Sequence, residues 1–182
     1  MFEIAAPGAH LTPVPAVFVC CAGKEEGFAK NNAMIAAWTG IVNSEPPMVS
    51  VSIRRERYSH AQISQTGEFV LHPVCAALEG AAGVCGSVSG FAADKFEQCG
   101  LKPFDIPGFS YAKAIDGAAL GLACRVHSVV NLPTHDVFIG EVVHTLRHPD
   151  FVRDGRFDAV AAGIAAFDPC AGRYLSLTDR DK

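Results

Sequence analysis

The sequence predicts a mostly β fold, an antiparallel barrel with a few short helices. Three observations point to it. Many short runs are either apolar throughout or alternate apolar and polar residues, and glycines and prolines separate them. The helical segments between these runs are brief. Strands and helices do not alternate regularly, which argues against a doubly wound parallel sheet and for an antiparallel barrel. With 182 residues, no internal repeat and no linker, the chain is expected to form one domain over 1–182.

Val14–Ala22 (VPAVFVCCA) is apolar and reads as a buried strand, and Lys24–Lys30 as a turn. Asn32–Val42 reads as one strand, broken by Ser44-Glu45-Pro46-Pro47. In Met48–Arg54, Val49, Val51 and Ile53 share one face and Ser50, Ser52 and Arg54 the other, so this strand has a core side and a polar side. Arg55–Gln65 reads as a short helix stopped by Gly67. Glu68–Val74 is a strand, Ala76–Gly86 a loose helix rich in alanine and glycine, and Asp94–Cys99 a second short helix ended by Gly100. Leu120–Asn131 and Asp136–Leu146 are long strands around a Pro133-Thr134-His135 loop. Phe157–Phe167 and Arg173–Leu177 complete the set of expected strands.

Hydrophobic residues make up 49% of the chain, enough for a sizeable core, and charged residues only 19%, too few for a disordered chain. A net charge of −4 excludes general affinity for nucleic acid or anionic membrane, so any anion site must be a local basic pocket. The N-terminus has no basic start followed by an apolar run, and no apolar segment approaches the ~18 residues of a membrane span. A cytoplasmic location is expected. The seven cysteines are odd in number and show no C-x-x-C spacing, so they read as reduced thiols, mostly in apolar runs. No dinucleotide fingerprint, phosphate loop or nucleophile elbow occurs. His144 and His148 lie four apart, but a strand pattern and Pro149 surround them, so they read as solvent-facing and no metal site is expected.

The chemistry concentrates between Asn31 and Gly67. Ser52, Arg54, Arg55, Arg57 and Ser59 gather within eight positions, where a strand runs into a helix start. Guanidinium forks, hydroxyls and helix N–H groups together suit a phosphate. A solvated basic turn would read the same way in isolation. In the strand before it, Asn32, Met34, Ala36 and Trp38 alternate with Ala33, Ile35 and Ala37. Alanines there let a flat ring approach the backbone, whose N–H and C=O groups can bond a polar ring edge. Trp38, the only tryptophan, serves equally well as a core or interface anchor.

N-A-M-x-A-A-W, P-P-M-V-S-V-S-I-R-x-x-R-Y-S and T-G-E-F-V-L together resemble the flavin reductase-like family of FMN-binding split barrels. Asp94-Lys95-Phe96 with Gly100-Leu101, His135–Val142 (HDVFIGEV) and Tyr174 extend the likeness to roughly residues 12 to 177. It implies an antiparallel Greek-key barrel and a homodimer. It implies further that Asn32, Met34, Ala36, Ala37 and Trp38 line the isoalloxazine and ribityl chain, and that the segment Ser52, Ile53, Arg54, Arg57, Tyr58 and Ser59 holds the phosphate, chiefly through Ser52, Arg57 and Ser59. Lys95 becomes a further phosphate contact, and His135 reaches the site from a loop of its own subunit or a partner. The family often has threonine after the methionine; this chain has Ile35.

The activity this implies is an FMN oxidoreductase passing hydride or electrons between NAD(P)H and flavin. Hydride transfer requires no side-chain acid, which agrees with the missing acid–base pair; His135 is the one candidate catalytic group. The rival reading is an FMN electron carrier serving a redox partner protein. A third is a ligand-binding module without flavin.

Overall fold

In a computed structural model, residues 1–179 are described; the last three residues of the expected 1–182 domain lie outside that set. Strands dominate. In chain order they are β1 (Val14–Pro15), β2 (Val17–Cys21), β3 (Asn32–Ala36), β4 (Thr39–Ser44), β5 (Pro47–Ile53), β6 (Glu68–Pro73), β7 (Pro103–Phe104), β8 (Ala114–Ile115), β9 (Leu120–Asn131), β10 (Asp136–Arg147), β11 (Val152–Arg153), β12 (Arg156–Phe157), β13 (Ala165–Asp168) and β14 (Arg173–Ser176). Among the described residues three α-helices interrupt them: α1 (Tyr58–Thr66), α2 (Glu79–Ser87) and α3 (Lys95–Gln98). No helix among the described residues is long and apolar enough to cross a membrane.

Seven strands form one antiparallel sheet in the order β3-β2-β6-β9-β10-β5-β4. β2 and β6 are buried on both faces, which is why Val17–Cys21 is apolar throughout rather than alternating. Val17, Val19 and Cys21 point into one core with Val51, Ile53, Phe69 and Phe138; Phe18 and Cys20 point into a second, beneath α2 and α3. Each such large side chain contributes about 1.5–3 kcal/mol on burial. β10 crosses Phe69 at Gly140, where an added Cβ would meet the Phe69 ring.

The expected barrel is split. β3 and β4 lie at opposite ends of the sheet and are not laddered to each other. The strand expected over Asn32–Val42 therefore breaks at Ala37–Trp38, where the chain leaves one edge and joins the other. The Trp38 carbonyl accepts the Ser52 N–H (2.9 Å), which fastens this bend to β5. β5 alternates as its sequence requires: Val49, Val51 and Ile53 are buried, Ser50 and Ser52 half-buried. Helix α1 stops at Gly67, whose φ of 67° is left-handed and whose N–H reaches Ile63 O at 2.7 Å. The loose helix resolves into a 3₁₀ turn, Ala76–Leu78, followed by α2.

One expected strand is wrong. Only the ends of Phe157–Phe167 are extended. The Asp158 side chain accepts the Ala161 N–H (2.9 Å), its carbonyl accepts Ala162 N–H (3.1 Å), and Gly163 takes φ 61°. The run of small residues has little side chain to pack in a sheet, so local turn bonds win. β13 then pairs with both β1 and β14 in a separate three-stranded sheet.

Candidate functional site

Two cavities meet along β3. The first, about 80 Å³, is lined by Met34, Ile35, Arg57, Tyr58, Ser59 and Lys95, with Cys85 and Gly86 of α2 and Ser89 and Gly90 after it. The second, about 180 Å³, is lined by Met34 to Trp38, Ser52, Ile53, Arg54, Arg57 and His135. Met34, Ile35 and Arg57 belong to both, so the two form one trough with a basic, hydroxyl-bearing end and a wider end floored by small residues.

The narrow end is built by α1 and α3. Ser59 is buried in the first turn of α1, and its Oγ accepts the Asn32 Nδ2–H at 2.7 Å, leaving its own O–H free to donate. The helix start has neither a side-chain cap nor an acidic residue in its first turn, so its N–H dipoles are uncompensated there. Asp94 caps α3 by accepting the Glu97 N–H (3.0 Å) and so brings Lys95 inward. Lys95 is only 3% exposed, and among the described residues no carboxylate pairs with it. Burial lowers its ammonium from the ordinary lysine value; the surrounding thiols, led by Cys85, act weakly the other way. These thiols are themselves held protonated: burial pushes Cys21 up to about 11 and Cys85 up to about 12.

At the wide end, Trp38 and His135 stack with ring centroids 4.6 Å apart and 32° between planes. His135 thus reaches the trough from its own chain. Burial first, then Arg54, depresses its pKa, so the ring is neutral near pH 7; its Nδ1 bonds with Thr134 Oγ1 at 2.8 Å. β3 is an edge strand, so it has a ladder partner on one side only and turns its other backbone groups toward the trough.

Several sequence-predicted residues take other places. Asn32 sits one layer behind, holding Ser59; its Oδ1 is buried without a partner, against Gly90. Tyr58 spends its hydroxyl on Gly27 O (2.5 Å) and its ring on Phe28, stacked at 4.9 Å, so only its edge lines the cavity. Arg54 does border the wide end, but it is exposed, with Glu56 at 3.8 Å. Arg55, part of the basic cluster in sequence, is diverted: its Nε and Nη2 donate to Asp136 at 3.0 and 2.6 Å. His60 Nε2 (2.8 Å) and Asn131 Nδ2 (3.0 Å) also donate to Asp136. This junction pins the Arg54–Ser59 strap to β9 and β10 and holds Asp136 well below the usual carboxylate range, Arg55 being the main cause. Ser89, Gly90 and Gly86 were not anticipated; nothing in their local pattern signals a cavity wall.

His144 lies on β10 and bonds Pro107 O (3.0 Å), while His148 lies beyond the strand, so they do not share a helix face. Five cysteines are buried, Cys99 is half-buried and Cys170 is exposed. A cavity of about 360 Å³ beside β8 and the end of β10 contains His72, but that ring is saturated. Its Nδ1–H donates to Leu120 O (2.8 Å), its Nε2 accepts Ile115 N–H (3.1 Å), and burial lowers its pKa to about 4.

The fold agrees with that of known proteins. The family model for the flavin reductase like domain matches residues 9–160. The chain belongs to the flavin reductase-like family. An uncharacterised protein of Archaeoglobus fulgidus is 31% identical over 137 residues, covering 72% of this chain and 73% of that one. Among solved structures, flavoredoxin of Desulfovibrio vulgaris (Miyazaki F) superposes with a TM-score of 0.89 at 25% identity, over 98% of this chain and 94% of that one. Flavoredoxin from Methanosarcina acetivorans gives 0.88 at 23% identity, over 98% and 93%, and speaks to the fold alone.

Proposed function

We propose that the chain is one FMN-binding domain whose trough holds the cofactor along β3, and that it is an oxidoreductase using NAD(P)H. The observation that carries this reading is Lys95: a buried ammonium that no carboxylate among the described residues pairs, facing a cavity shared with Arg57, Ser59 and the uncapped start of α1. An unpaired buried cation is costly unless an anion completes it. The donor set fits a phosphate. Arg57 offers a fork, Ser59 a free hydroxyl, Lys95 a charge and α1 its backbone N–H groups.

The ring end fits a flat, polar-edged group. Ala36 and Ala37 keep side chains out of the way, and the free edge of β3 offers backbone donors and acceptors. Ser52 and Arg54 stand beside it, Ile53 closes its inner wall, and Trp38 with neutral His135 borders the far side. FMN, when bound, supplies hydride and electron exchange with a nicotinamide or a redox partner. The chain's part is to anchor, orient and shield; His135 at neutral pH can accept or relay a proton at the trough's rim.

The test is to add NADH or NADPH to the FMN-loaded protein and follow loss of the reduced nicotinamide. Turnover supports the oxidoreductase. Reversible reduction by dithionite without nicotinamide turnover supports a second reading, an electron carrier, which the similarity to flavoredoxin over nearly the whole chain favours. Arg57→Ala is expected to raise the FMN dissociation constant at least about tenfold, as the loss of one charged hydrogen bond requires; an unchanged constant would remove Arg57 from the phosphate site. Homodimerisation and the cytoplasmic location belong to this proposal as well.

A further inference from the structure

Two thiols bracket the wall of the narrow end. Cys85 lies on α2, and Cys99 is the C-terminal cap of α3. The segment between them supplies much of that wall: Gly86, Val88, Ser89, Gly90 and Lys95 line the cavity, and so does Cys85 itself. The Cys85 S–H donates to the Cys99 sulfur, so the two side chains already meet. Both pack in the core beneath α2 and α3.

The two differ in access. Cys85 is 2% exposed and Cys99 is half-buried. Burial above all, then Cys99, keeps the Cys85 thiol protonated; the Lys95 ammonium opposes them. Only a thiolate attacks a disulfide. Cys99 is therefore the sulfur a reagent reaches first and Cys85 the one that follows, with Lys95 as the charge that favours its thiolate. An anion seated on Lys95 offsets that charge and covers Cys85 from the cavity side. Cys20 also neighbours Cys85, but it is fully enclosed.

We infer that Cys85 and Cys99 are a reversible redox pair, oxidised to a disulfide by exchange with a small disulfide while the narrow end is empty and held back when a phosphate occupies it. The Cys99 thiolate attacks one sulfur of the reagent, whose S–S bond breaks to release one thiol. The Cys85 thiolate then attacks the Cys99 sulfur of the mixed disulfide, and the second thiol leaves. Two protein thiols are oxidised, and one small disulfide is reduced to two thiols that take up the two protons. Closure brings the sulfurs from contact to bonding distance and draws α2 toward α3 across the loop that carries Lys95. The pair stands on the meeting of the two thiols; its protection by phosphate rests on the anion reading of Lys95.

The test treats the full chain with glutathione disulfide, alone or with FMN, riboflavin or inorganic phosphate. Free thiols are blocked with iodoacetamide and linked peptides are quantified by mass spectrometry, while flavin fluorescence follows binding in parallel. A Cys85–Cys99 bridge is expected in the FMN-free protein, reversed by dithiothreitol. FMN or inorganic phosphate should slow its formation at least about threefold, because the exchange rate follows the thiolate fraction; riboflavin should not. Cys85→Ser should stop at a glutathione adduct on Cys99, and Cys99→Ser should leave Cys85 unmodified. The exposed Cys170 takes glutathione in every sample and reports the reagent. No bridge in the FMN-free wild type, an adduct on Cys99 that does not resolve, or closure just as fast with FMN bound would overturn the inference; the last of these leaves the flavin reading intact. Slowing by inorganic phosphate in a protein that binds no FMN would uphold the pair and sink the flavin reading instead.

Discussion

Lys95 reaches the trough because Asp94 caps α3 and Phe96 anchors it in the core, so a polar group is carried inward by the packing of its neighbours. Without an anion it is a liability. Lys95→Met keeps the stem and removes the charge. It is expected to leave the Tm of the FMN-free protein equal or higher while raising the FMN dissociation constant at least about tenfold. A variant that melts lower yet binds FMN as before would make Lys95 a purely structural residue. Much of this residue-level picture was legible in the sequence. Ser59, Arg57 and the Met34–Trp38 ribbon do meet in space. The diversion of Arg55 was not legible, because its partner Asp136 lies 81 positions away and only the β5–β10 ladder brings them together. Asn32 was misplaced by one layer for a similar reason: alternation sets its face, but the packing of α1 over that face decides what it touches.

Among the elements, the Asp136 junction ties three pieces together: the strap after β5, the end of β9 and the start of β10. Its carboxyl pKa is depressed in the folded state, chiefly by Arg55. The stability it contributes is therefore fully present above the ordinary value of about 3.9 and is lost as pH falls through the lower folded value. Asp136→Asn should melt a few degrees lower at pH 7 and should lose less stability than the wild type on acidification below pH ~4. Melting curves that run parallel at all pH values would contradict this. Strands with clean alternation or long apolar runs, β5, β6, β9 and β10, were legible nearly to their ends. The 158–163 turn was not: alanine, glycine and valine are apolar enough to suggest a buried strand, but the Asp158 cap and left-handed Gly163 decide otherwise. The break at Ala37–Trp38 also escaped, since the change of sheet edge there is a matter of topology rather than local propensity.

At the scale of the molecule, the open sheet leaves β4 as a free edge. Ile41 on it is 86% exposed and Trp38 49%, and Val129, Val130 and Leu132 are exposed at the far end of β9 and just beyond it. Apolar side chains on an unpaired edge favour association with a second copy. For the proposed homodimer, Ile41→Lys is expected to give a monomer in sedimentation velocity, and a sedimentation profile that does not change with this substitution would place the contact elsewhere. The antiparallel class was legible from the pattern of strands; the split of the barrel was legible only through the family resemblance, because closure depends on which edges meet. The cofactor reading gathers these scales together: a small-residue ribbon, a basic strap held by Asp136, and a buried lysine form one anion-ended trough. The most direct measurement is a titration of FMN-free protein with FMN and with riboflavin, followed by flavin fluorescence. The account predicts saturable binding of FMN, tighter than riboflavin by at least about tenfold because only FMN carries the phosphate. Equal affinity for the two, or no binding of FMN, would contradict it.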